Sequence, residues 1–116
     1  LKLRPGATLI LETINAASWS AFFSSYIRDI THIRPLHPDT LQYFVTASGF
    51  QHVRVEYRSP WPTGAKLESL PPPDDGGASD PVSALVTLVH TFNRNVERLN
   101  DLMFADQDYA VIAERR

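Results

Sequence analysis

The segment DITHIRPLHPD, Asp29 to Asp39, gathers the side chains best suited to chemistry: Asp29, His32, Arg34, His37 and Asp39. A histidine titrates near neutral pH, so His32 can take or give a proton, with Asp29 or Glu12 to orient its ring. Arg34 can hold a carboxylate or phosphate through paired N–H bonds. A plainer reading stands beside each role. Asp29 and His32 can tie down the loop that leads into a helix, and Arg34 can cap the carboxyl end of a strand. A metal site from His32, His37 and Asp39 is disfavoured. The spacing of the two histidines is not the i, i+4 arrangement of helical zinc motifs, and His37 has another use.

That use is local. Leu36-His37-Pro38-Asp39-Thr40-Leu41 reads as a helix start: His37 as cap, Pro38 at the first helical position, Asp39 near the positive end of the dipole. Leu36 and Leu41 are placed for a hydrophobic staple. Leu41, Phe44 and Val45 form the expected buried stripe, and Gly49 the left-handed stop.

The elements around this helix must position the polar residues. Arg4-Pro5-Gly6 is a turn leading into Ala7–Thr13, a nearly continuous apolar run. Continuous apolarity predicts a strand covered on both faces. It ends in Glu12, Thr13 and Asn15, where strand ends in open α/β sheets meet ligands. Glu12 and Asn15 are therefore candidate substrate-binding residues. Asn15 to Ile30, with Trp19, Phe22, Phe23 and Tyr26, reads as a short helix or a lid-like loop. Phe50–Tyr57 alternates apolar and polar residues, as a strand with one wet face or at a sheet edge does. His52 falls on that face.

Residues 59–81 are rich in proline and glycine and predict an extended, mobile linker, with Trp61 as an anchor folding it back. Residues 82–104 then form a long helix. Val82, Leu85, Val89, Phe92, Val96, Leu99 and Met103 recur at heptad spacing, with Arg94, Asn95, Glu97, Arg98 and Asn100 off the seam. The seam serves either the helix's own domain or a partner helix. Asp108–Glu114 is a last strand, expected to pair antiparallel with residues 50–57.

Composition narrows the classes. In 116 residues, 43% are hydrophobic and 21% charged, with net charge −2. One domain, or part of one, fits that length. Near-neutral charge gives no electrostatic case for nucleic acid or an anionic membrane surface. No apolar run approaches about 20 residues, so no membrane span is expected. The chain has no cysteine, which excludes thiolate metal sites and fits a reducing, cytoplasmic setting. The abrupt start at Leu1, without methionine, suggests a piece of a longer protein whose missing part lies upstream.

The order strand, loop, helix, strand, insertion, last strand resembles class I S-adenosylmethionine-dependent methyltransferases. The residues that carry this are Arg4-Pro5-Gly6 before the first strand and Glu12-Thr13-Ile14-Asn15 after it. Asp29, Thr31, His32, Arg34, Pro35 and Leu36 further match the Asp-x-Thr-His-x-Arg-Pro-Leu segment of a type 11/12/23-like group, before a helix ending in Gly49-Phe50. The resemblance covers residues 1–58 and 107–114, with the linker and long helix as an insertion. Ala7 and Ile14 depart mildly from residues common in the family, a glycine and a proline. It implies an α/β, partial Rossmann-like sheet of three strands, the fifth, sixth and seventh of the family, with the last two antiparallel.

The resemblance also implies S-adenosylmethionine as cofactor of the whole domain, with His32 and Asp29 on the catalytic side and Arg34 toward the methyl acceptor. The family's glycine-rich loop and ribose-binding acid have no counterpart here, since Gly76-Gly77 follow no strand. The expectation is therefore a C-terminal portion, 1–116, that binds no cofactor and is inactive alone, its partner being the missing N-terminal half. The alternative is a non-enzymatic association module, joining copies through helix 82–103 or an open strand edge.

Overall fold

The computed structural model describes residues 3–73 and 80–116. Three strands, β1 (Thr8–Ile14), β2 (Phe50–Arg58) and β3 (Asp108–Arg115), form one sheet in the order β1-β3-β2. β3 is antiparallel to both neighbours, with Thr8 opposite Glu114 and Ile14 opposite Asp108 on one side, and Phe50 opposite Arg115 and Arg58 opposite Asp108 on the other. The expected pairing of the last two strands is present, and β3 also pairs with β1, so that it stands between β1 and β2. Placement in the middle explains why Tyr109 to Ala113 are all buried.

α2 (Pro38–Ala47) starts as its sequence dictates. Nδ1 of His37 accepts the Asp39 N–H at 3.2 Å, Pro38 occupies the first turn, and Gly49 closes the helix at φ 85°. Leu41 and Val45 pack on Tyr109, Val111 and Ala113, with Leu9, Leu36, Phe50, Val53 and Val55 around them. Phe44 does not join the stripe and is 55% exposed, because one helix over a three-stranded sheet buries only its closest ridge.

Two expectations about the strands need correction. β1 is not covered on both faces: Ile10 and Leu11 are exposed and its outer edge has no partner among the described residues. β2 does not alternate cleanly, since the register shifts between Gln51 and Arg54 and His52 takes φ 52°. This bulge sets His52 and Val53 against the single residue Ala113.

Of the two readings of the 15–30 segment, the short helix is present, in two parts. α1 (Trp19–Ala21) widens directly into a π-helical stretch, Phe22–Tyr26. α3 (Asp80–Met103) is the long helix. With a radius of gyration of 20.6 Å, against about 13 Å for a compact domain of this size, the molecule is extended.

The linker is anchored where it is described. Trp61 meets Phe104 edge to face, with ring centroids 5.8 Å apart. The Asn100 carboxamide clasps the backbone N–H and C=O of Leu67, and Asn93 does the same at Leu70, at 2.8–2.9 Å. Seven helical residues rise about 10 Å, nearly the span of three extended ones, so the two clasps stay in step. Asn100, expected off the helix seam, thus lies on its covered face. That face runs through Val82, Val86, Val89, Asn93, Val96, Asn100 and Met103, whereas Leu85, Phe92 and Leu99 of the expected seam are exposed. Gly76 and Gly77 lie outside the described residues.

Candidate functional site

The loop that bears Asp29, His32 and Arg34 is held at both ends. At its start Asn15 is buried: its N–H donates to Gln107 O at 2.8 Å, Nδ2 donates to Asp106 O at 2.9 Å, and Oδ1 accepts from Ala17 N. One turn on, the buried Ser18 hydroxyl donates to Ala105 O. These bonds knot the end of β1 to the connection between α3 and β3. At the loop's far end the Tyr109 hydroxyl donates to Leu36 O at 2.8 Å. Tyr109 is wholly buried, and that burial pushes its phenol up to about 12.

Between these pins the rings of Phe22, Tyr26 and His32 form a column. Tyr26 lies nearly parallel to His32, with centroids 4.6 Å apart. Asp29 accepts the Thr31 N–H at 2.9 Å and the Thr31 hydroxyl at 2.6 Å, which holds its carboxyl below the usual range. His32 Nδ1 is 3.6 Å from Asp29 Oδ2, longer than a hydrogen bond. That nitrogen and the Tyr26 hydroxyl are buried polar atoms without a partner among the described residues, although the His32 side chain as a whole is 29% exposed. Buried polar atoms of this kind ordinarily find a hydrogen-bond partner.

The remaining candidates are distributed elsewhere. Glu12 faces Arg58, at 4.0 Å, in an exposed ionic row that also contains Glu56 and Arg54. The hydrogen bond from Arg54 is the main reason the Glu56 carboxyl is held low. Glu12 is therefore engaged across the sheet rather than with His32. Arg34 is exposed in the loop and makes no ion pair among the described residues. The His37 Nδ1 serves the helix cap, and no group of three or more metal-ligating side chains occurs among the described residues.

An open-sided hollow of about 380 Å³ lies where β1 and β2 end, lined by Asn15, Ala17, Tyr57, Asp101, Ala105 and Asp106. Of the predicted residues only Asn15 borders it. Tyr57, Asp101 and Asp106 were missed because the strand-end rule was applied to β1 alone. Applied also to the end of β2 and the approach to β3, it finds them.

No helix among the described residues is long and apolar enough to cross a membrane. No protein-family model matches the chain, and no curated protein does. A solved structure does match, a SAM-dependent methyltransferase from Archaeoglobus fulgidus, at 27% identity and a TM-score of 0.76. The match covers 97% of this chain, more than residues 1–58 and 107–114, and 47% of that one. The chain thus spans about half the length of the structure it resembles. The three-stranded sheet and long helix are part of a class I methyltransferase fold.

Proposed function

We propose that this chain is the C-terminal portion of an S-adenosylmethionine-dependent methyltransferase, of the group with the Asp-x-Thr-His-x-Arg-Pro-Leu segment, supplying the sheet edge and the acceptor side of its site. The order β1-β3-β2, with β3 antiparallel at the centre, carries the reading, together with the likeness to the archaeal enzyme. An apolar β1 with an open edge is what remains when a strand made for a sheet interior lacks its neighbour.

In this reading His32 is the base on the acceptor side. Its Nδ1 is covered, so Nε2 is the nitrogen that takes the acceptor's proton. Asp29, fixed by Thr31, stands 3.6 Å from the ring's Nδ1. Arg34 meets an anionic group of the acceptor. Glu12 and Asn15 shape the rim at the end of β1, and Asn15 reaches the hollow. S-adenosylmethionine itself does not fit the residues present. No strand–glycine loop–helix unit occurs among the described residues, and the sequence has no ribose-binding acid in that context. The cofactor's cradle belongs to the upstream half of the domain, and this portion alone is inactive.

Titration calorimetry with S-adenosylmethionine tests this on two proteins: the 116-residue chain, and the chain extended by the upstream sequence of its reading frame. Binding by the extended protein alone is expected. Tight binding by the short chain would overturn the division of labour.

A further inference from the structure

α3 carries a second apolar stripe beside the face that the linker covers. Leu85, Leu88, Phe92, Leu99 and Leu102 are each 43–65% exposed. At 100° per residue their stripe is centred about 100° round the helix from the linker-covered face, so the two run side by side. With Asn95 in the remaining position the stripe is a regular 3-4 repeat, the seam of a two-helix coiled coil. Its order is also its own complement when reversed. Set antiparallel, Leu85 meets Leu102, Leu88 meets Leu99, and Phe92 meets Asn95, each layer occurring twice about a two-fold axis between residues 93 and 94.

We propose that α3 pairs with the α3 of a second copy of this chain as an antiparallel coiled coil through this stripe. About 500 Å² of apolar side chain per copy lies on it, so a pair buries about 1,000 Å², where specific interfaces begin. The flanking positions Ala84 and Thr91 are small enough to let the helices close. A parallel pair would crowd two sheets at one end, because Asn15 and Ser18 tie each sheet to the C-terminal end of α3 through Ala105 and Asp106. The antiparallel pair sets the sheets at opposite ends. Asn95 against Phe92 lowers affinity but penalises slipped registers that would place it against leucine. The upstream half of the domain is a separate occupant, meeting the open edge of β1, so this pairing does not depend on the methyltransferase reading.

Sedimentation velocity on the 116-residue chain is expected to give a dimer at tens of micromolar. The double variant Leu88→Glu with Leu99→Glu, at positions already open to solvent, is expected to give a monomer with an unchanged circular dichroism spectrum. Asn95→Leu is expected to tighten the dimer at least tenfold. Because the chain has no cysteine, Ser83→Cys and Arg94→Cys each accept a single spin label. In the proposed register, paired Arg94 labels are offset by only about 2 Å along the axis and paired Ser83 labels by about 30 Å. A wild-type monomer, a dimer that survives the double variant, or equal label distances at both sites would each overturn the proposal. So would association only with the upstream half, which leaves the cofactor-binding result untouched.

Discussion

β1 and β2 flank the same central strand, both antiparallel to it, yet they meet solvent in opposite ways. β2 carries the features of a natural sheet edge: a bulge at His52 and Val53, the charged row Arg54, Glu56 and Arg58, and α2 packed over one face. Each of these blunts an edge against further strands. β1 has less of that protection, with Glu12 as its one charged residue in the row. Its residues Thr8–Ile14 pair without a bulge, and Ile10 is 59% exposed. The contrast teaches that one side of this sheet is finished as an edge and the other is left open among the described residues. It also separates two kinds of exposed apolar surface, since β1 has an open backbone edge, whereas α3 has a heptad stripe of side chains.

The largest effect that would break the comparison is loss of the strand common to both edges. Tyr109→Ala removes a wholly buried ring and the bond to Leu36 O, and is expected to cost about 3–5 kcal/mol in urea unfolding, taking both edges down together. Next comes a matched pair. Val55→Lys, on the finished side against the core cluster, is expected to cost about 2 kcal/mol. Ile10→Lys, on the open side, should change stability by less than about 0.5 kcal/mol while reducing light scattering at high concentration. Equal costs at the two positions would erase the distinction between the edges.

Tyr109→Phe keeps the packing and removes only the hydrogen bond to Leu36, for an expected loss of about 1 kcal/mol. The native phenol makes a related pH prediction. Its folded pKa of about 12 lies above the ordinary 10.0, so its contribution is complete below pH 10 and lost as pH rises toward 12. Alkaline unfolding monitored by phenolate absorbance should shift in Tyr109→Phe. The smallest effect is local. Asp29 is held below 3.8, so the Asp29–Thr31 turn contributes fully above pH 3.8 and is lost as pH falls through the depressed value. The Thr31 amide resonance reports that opening, and Asp29→Asn should remove its pH dependence.

Where the physics is short-range, the residues were enough. Helix α2 was legible from His37-Pro38-Asp39 and Gly49 because a cap and a left-handed stop involve neighbours in the chain. The three strands and the antiparallel β2–β3 pair followed from apolar patterning and from the family resemblance. The candidate site was legible only as a set of residue types. Which of them share a place depended on contacts between distant segments: Asn15 with Asp106, Ser18 with Ala105, Tyr109 with Leu36, and Glu12 with Arg58. The heptad period of α3 was visible too, but a period does not say which side of a helix is occupied. That was decided by Asn93 and Asn100, whose carboxamides bind the linker's backbone and so leave no trace in its side-chain sequence.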